Sequence, residues 1–167
     1  NTDTMKVRSL VNNAKSIFHT EAYRLSTAMS PHAAAALENI KIDIEKINLP
    51  ITDKTLIIEG AGGLFVPLND DLLVIDLIKK FDAEVILVSR NYLGSINHTL
   101  LSVEVLKNRG IPIAGIVFNG KHIKSSEEFI LKHTGLKCQL HIEEETDVDS
   151  EMILKYSALL KANSFSL

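Results

Sequence analysis

Glu59 closes the apolar run Leu56–Ile58 and is followed at once by Gly60, Ala61, Gly62 and Gly63, within the stretch IIEGAGGLFVPL, residues 57 to 68. A carboxylate at the end of such a run, beside a Gly-rich turn, suits Mg²⁺ held near a phosphate. The hard ion takes one or two carboxylates and keeps water and phosphate oxygens as its other ligands. The glycines would let backbone N–H groups come close to an anion. The same residues also fit a strand-to-loop turn that needs positive φ, with Glu59 solvated, because short Gly-rich turns are weak motifs alone.

A second constellation is NYLGSINHTLL, residues 91 to 101. Gly94 gives a tight turn, and Ser95 or Asn97 can cap the helix that follows. A helix start offers free N–H groups and a dipole that favours an anion. Asn97 and His98 add polar reach; plain capping, with His98 at the surface or packed, fits as well. In VFNG, Asn119 follows an apolar run. Its amide can both donate to and accept from a purine edge, while Asn119-Gly120 is also a common turn pair. Asp3, in the opening NTDT, is an acid that says nothing alone.

Other reactive residue types read as structural. The single cysteine, Cys138, is expected to be a small buried apolar residue. His19, His32, His122, His133 and His141 have no metal-ligand spacing of the HExxH kind, so no transition metal is assigned. The acidic run Glu143 to Asp149 lacks the alternating ligands and central glycine of an EF-hand and reads as a solvated loop.

These residues must be positioned by regular elements. Val7, Leu10, Val11, Ala14 and Phe18 sit at helical spacing over residues 5 to 18. Ser30 and Pro31 read as N-cap and first helical position, and the alanine-rich segment after them as helix. KTLIIEG reads as a short buried strand, LLVIDLIKKFD as an amphipathic helix, and AEVILVSR as a strand covered on both faces. Then come a helix from Ser95 stopped by Gly110, a strand in IPIAGIVFNG, a helix stopped by Gly135, a short strand CQLHI and a last helix SEMILKYSALLKA. Alternating helices and Ile/Val/Leu strands predict an α/β fold: one doubly wound, mostly parallel sheet in a single domain, residues 1–167. Ligands bind such sheets at the carboxyl ends of the strands, which gathers the Glu59, Gly94 and Asn119 turns on one edge.

Composition narrows the classes. Of 167 residues, 46% are apolar and 23% charged, an ordinary globular balance. The net charge of -3 provides no basic footprint for nucleic acid; the short lysine cluster GKHIKSS is diluted by SSEE and reads as solvated surface. No apolar run approaches the ~20 residues of a membrane span. One cysteine and no visible signal peptide point to the cytoplasm.

Taken together, the segments resemble dethiobiotin synthetase. IIEGAGGLFVPL is similar to that family's Glu-Gly-Ala-Gly-Gly segment followed by Pro, and LGSINHTLLSVEVLKNRGIPIAGIVFNG to its Leu-Gly-x-Ile-Asn-His helix start and following strand ending in Asn. NTDT resembles its Asn-(Ser/Thr)-Asp segment and MSPHAAA its Ser-Pro-His segment. The likeness runs from residue 1 to about residue 140, and its joint occurrence is specific. The resemblance implies a P-loop NTPase-like fold and an ATP- and Mg²⁺-dependent cyclo-ligase. CO₂ and 7,8-diaminopelargonic acid form a carbamate; ATP phosphorylates it, and the second amine closes the ureido ring, releasing phosphate. On that basis Asp3 and Glu59 bind Mg²⁺, and both, with Gly60, Ala61, Gly62, Asn119 and Gly120, line ATP. Gly94, Ser95, Ile96 and Asn97 meet the substrate's carboxylate across a homodimer interface.

One departure bears on the catalytic residues. The family pattern begins with a strand, a GxxxxGK(S/T) P-loop and, after the next strand, a catalytic lysine with a nearby substrate-binding serine. None occurs here; the one Gly-Lys pair, Gly120-Lys121, is followed by His122. No catalytic residue is therefore assigned within these residues. With the non-Met start, the expectation is an N-terminally truncated synthetase, lacking the first strand and inactive alone. The alternatives are a non-catalytic nucleotide-binding-like module, and the ATPase domain of an enzyme related to cobyrinic acid amidase.

Overall fold

A computed structural model describes residues 2–11 and 13–163. The chain forms two compact units: Ile17–Ala83, and the segment from Glu84 onward together with the residues up to Ser16.

The second of these holds a parallel sheet in the order β1 (Val85–Arg90), β2 (Ile113–Asn119), β3 (Cys138–Ile142). Helix α4 (Ser95–Asn108) links β1 to β2, and α5 (Lys124–Thr134) links β2 to β3. Right-handed crossovers between sequential neighbours put both helices on one face. Ser95, Thr99, Val103 and Leu106 recur at helical spacing and form the buried stripe of α4. The core under these helices is built on Ile116, Phe118 and Ile130, all fully buried, with Leu87, Ile96, Leu136 and Cys138 packed around them. At Gly115 the sheet permits no side chain, since a Cβ would lie 2.8 Å from the Lys137 carbonyl oxygen of the β3 side. Helix α6 (Ser150–Ala162) starts at Asp149, whose carboxylate accepts from the Met152 N–H at 2.9 Å. It packs on β3.

The expectation that β1 is covered on both faces is met on one. Ile86 and Val88 are 37% and 62% exposed, because α4 and α5 lie against the opposite face. Helix α1 (Asp3–Leu10) also belongs to this unit. The predicted helix over 5 to 18 stops at Leu10. Asn13 Oδ1 accepts from the N–H groups of Lys15 and Ser16 at 2.9 and 2.8 Å, a local turn that competes with helix.

In the Ile17–Ala83 unit, helix α2 (Pro31–Leu37) begins with Ser30 as N-cap and Pro31 in its first turn. A 3₁₀ turn (Ile44–Lys46) and helix α3 (Val74–Lys80) follow. Ala35, Ile42, Leu68 and Val74 form the core, with Tyr23, Leu25 and Val66 against it. Here KTLIIEG is a correction: residues 54–60 form no strand. A strand requires a neighbouring strand to take its N–H and C=O groups, and among the described residues no strand ladder includes this segment, in which Ile57 and Ile58 are 80% and 46% exposed. No helix among the described residues is long and apolar enough to cross a membrane.

Candidate functional site

The carboxyl edge of the sheet ends on one rung. Arg90 of β1 is the Cα partner of Asn119 in β2, and Asn119 that of Ile142 in β3. Asn119 is exposed on this edge, while Gly120 beside it is buried. The Gly120 N–H donates to the Ile142 carbonyl at 2.7 Å, extending the ladder one residue past the strand. Asn119, expected to meet adenine, is thus held by strand pairing on both sides, and Gly120 by its bond to the β3 side.

At the start of α4, Gly94 is itself the N-cap, in the left-handed region at φ 102°. This corrects the expectation that Ser95 or Asn97 caps the helix. Ser95 is the first helical residue, 3% exposed, and its N–H donates to the Tyr92 carbonyl. With no side-chain cap, the N–H groups of Ile96 and Asn97 are left to another acceptor. Gly94, Ser95 and Ile96 line an open cleft of about 370 Å³ together with Tyr92 and Ile123. Ile96 also packs into the Ile116–Phe118–Ile130 core. Asn97 lies apart from them, in a cleft of about 280 Å³ with Leu100, Glu104 and His133. The Tyr92 hydroxyl and His98 Nδ1 are 2.5 Å apart, so His98 is engaged at the surface.

Glu59, Gly60, Ala61 and Gly62 are exposed in the Ile17–Ala83 unit. Gly62 adopts φ +79°, and a Cβ there would meet Val66 Cγ2 at 2.9 Å. The turn therefore needs glycine at this position whatever it binds. The loop is anchored just beyond, where the N–H groups of Val74 and Ile75 donate to the carbonyls of Val66 and Leu64, both at 3.0 Å. Glu59 pairs with no described cation. An exposed, uncommitted carboxylate fits Mg²⁺, which retains much of its water.

Asp3 is exposed and opens α1 after Thr2, whose hydroxyl accepts from the Met5 N–H at 3.3 Å. An acid in a first turn also favours the helix dipole. Asn1, the first residue of the NTDT segment, lies outside the described residues. Asp3, Gly94–Asn97 and Asn119–Gly120 belong to one compact unit, and Glu59–Gly62 to the other.

Sequence reasoning missed a polar cluster beside Gly120. Glu127 of α5 is 5% exposed. Its Oε1 accepts from Asn91 Nδ2 at 2.5 Å and from the Ile123 N–H at 3.2 Å. Its Oε2 lies 2.8 Å from His122 Nδ1 and 3.6 Å from His141 Nδ1. Separations of five and fourteen residues match no metal-ligand motif; three chain segments at the sheet edge create the grouping. Cys138 is half-buried, and burial first, then the Glu127 charge, pushes its thiol above the usual range. In the acidic loop, Glu145 is tied down: Lys155 Nζ donates to it at 2.7 Å and the Tyr156 hydroxyl at 2.5 Å. The lysine and tyrosine hydrogen bonds hold its carboxyl below the usual range, and the same glutamate raises the Lys155 ammonium.

The chain is similar to known proteins over most of its length. A family described as an AAA domain matches residues 1–152. The chain is 53% identical over 163 residues to a protein from Cytophaga hutchinsonii named ATP-dependent dethiobiotin synthetase, covering 97% of this chain and 79% of that one. A protein of the same name from Christiangramia forsetii is 51% identical over 157 residues, covering 94% of this chain and 75% of its own length. One from Chlamydia felis, again of that name, is 37% identical over 159 residues, at 95% and 74%.

Proposed function

The chain belongs to the dethiobiotin synthetase family of ATP-dependent ligases, and from that premise we propose that it takes part in closing the ureido ring of dethiobiotin. The substrates are 7,8-diaminopelargonic acid, CO₂ and ATP. One amine adds to CO₂ to give a carbamate, whose oxygen takes the γ-phosphoryl group of ATP. The second amine attacks the activated carbonyl carbon, phosphate leaves, and the five-membered ring closes.

The observation that carries this reading is the start of α4. Gly94 leaves the first-turn N–H groups without a side-chain cap above the cleft at Gly94–Ile96. That end is suited to an acceptor carrying negative charge, and the carboxylate tail of diaminopelargonic acid is such a group. We assign that tail to the helix start at Gly94, Ser95 and Ile96, with Asn97 contributing its backbone N–H and not its side chain, which lines the other cleft; these residues come from the second copy of a homodimer. Asn119 and Gly120 hold the adenine edge. Gly60, Ala61 and Gly62 offer backbone to the nucleotide. Glu59 and Asp3 supply hard oxygen ligands for Mg²⁺, which when bound neutralises charge on the phosphates. Residues 1–167 are assigned to a single dethiobiotin-synthetase-like domain.

The test is an assay of the complete gene product with labelled bicarbonate, diaminopelargonic acid and ATP–Mg²⁺. The reading expects labelled dethiobiotin formed in step with ADP and phosphate. ATP-independent carbamate formation with no ring product would refute it.

A further inference from the structure

The geometry points to a binding site for a d-block divalent cation, of the Zn²⁺ or Co²⁺ class, formed by His122, Glu127 and His141 at the carboxyl edge of the sheet. One ligand atom from each residue lies within 4.8 Å of the other two. It uses none of the hard-oxygen ligands assigned to Mg²⁺, and its residues all belong to the sheet unit.

Charge is the first argument. Glu127 is buried, and its partners among the described residues are the Asn91 amide, the Ile123 N–H and the two imidazoles. Among the described residues no lysine or arginine is paired with it. Buried carboxylates are paired with a cation or coordinate a metal, and here the matching positive charge has to come from imidazolium or from an ion.

Tautomer is the second argument. His141 Nε2 is 3.0 Å from the Gly120 carbonyl oxygen. A carbonyl oxygen only accepts, so Nε2 carries the hydrogen. In the neutral ring Nδ1 is then a lone pair, and it faces Glu127 Oε2 at 3.6 Å. Two electron-rich atoms stand opposed, and a cation between them converts repulsion into coordination. A carbonyl on the far nitrogen of a histidine is also the usual way a ligating ring is oriented.

The carboxylate is prepared in the same way. Oε1 is occupied by two N–H donors, which leaves Oε2 toward the imidazoles. Asn91 Nδ2 also donates to the Lys121 carbonyl at 3.0 Å, so the amide itself is held in place. Two imidazoles and one carboxylate are a donor set that zinc accepts with a fourth position open to solvent. At bond lengths near 2.1 Å, tetrahedral ligand atoms stand about 3.4 Å apart. His122, half exposed, is the member free to move from 2.8 Å toward that spacing. Imidazole nitrogen disfavours Mg²⁺, which prefers oxygen throughout.

The experiment is a Co²⁺ titration of the complete gene product after chelator treatment, followed by visible d–d absorption in the absence of nucleotide, with Zn²⁺ added afterwards. One Co²⁺ should bind per chain, yield to Zn²⁺, and persist in excess Mg²⁺. Orienting groups alone change metal affinity by about 10- to 100-fold, so H141Q and H122Q should weaken binding by at least about 100-fold. H133Q should leave it unchanged. H122Q removes a half-exposed side chain and keeps the test valid if H141Q fails to fold. Absence of Co²⁺ binding, or binding unchanged in H122Q, overturns the proposal. Since no nucleotide is present, neither result depends on the synthetase reading.

Discussion

His141 Nε2 reaches the carbonyl of Gly120 across 3.0 Å, so the last strand is bonded to the turn that follows the middle one. The Gly120 N–H returns to the Ile142 carbonyl at 2.7 Å. The turn expected to hold the base of ATP is therefore fixed by two hydrogen bonds from β3, and Asn119 is presented from a rigid support.

Asn119→Ala should raise the KM for ATP about three- to tenfold and change kcat less, the effect of losing one net hydrogen bond of about 1 kcal/mol. Steady-state kinetics on the complete gene product measure this. A fall in kcat at unchanged KM would remove Asn119 from base recognition.

Gly62→Ala should destabilise the Ile17–Ala83 unit by about 1–3 kcal/mol. The backbone stands at φ +79°, and the new methyl would meet Val66 Cγ2 at 2.9 Å. Urea unfolding gives the number. A neutral result would mean that the turn relaxes to another conformation.

Ser89 Oγ and Thr99 Oγ1 share a buried hydrogen bond of 2.8 Å that pins α4 to β1. Ser89→Ala or Thr99→Val alone should each cost about 1–3 kcal/mol, because the remaining hydroxyl loses its buried partner. The double variant should cost clearly less than the sum. Additive losses in a double-mutant cycle would contradict coupling through this bond.

Glu38 accepts from the Ser26 hydroxyl and from the N–H groups of Ser26 and Thr27, at 2.9, 2.8 and 3.2 Å. The Ser26 side-chain hydrogen bond is the main cause that lowers its carboxyl pKa. A folded value below the unfolded one stabilises the protein above the unfolded pKa, and that contribution is lost as pH falls through the folded value. Glu38→Gln should therefore lower Tm at neutral pH, with the gap narrowing in acid. Melting curves of both proteins across that range check the sign.

Much of this was readable from residue order, wherever the signal is local. Apolar runs in VILVSR and IAGIVFN mark strands because the flanking glycines and helical spacings bound them. Gly135 ends α5 in the left-handed conformation for the same local reason. The misreadings share a cause as well. KTLIIEG has strand composition, yet a strand exists only through a partner, and composition does not state one. The helical spacing after Leu10 is overridden by Asn13, whose side chain satisfies the backbone in a turn. The cap of α4 falls on Gly94 because its backbone makes the turn itself, leaving Ser95 to be buried. Asn91, His122, Glu127 and His141 carry no spacing signal, since crossover topology alone brings them together.

The most direct measurement of the central claim is the rate of dethiobiotin formation by Glu59→Gln, in the complete gene product, across a range of Mg²⁺ concentrations. Glu59 is exposed and pairs with no described cation, so the variant should fold as the parent does. The account predicts that Mg²⁺-dependent turnover is abolished, with circular dichroism and Tm unchanged. Full activity with an unaltered Mg²⁺ dependence would contradict it and detach the Gly-rich turn from the chemistry.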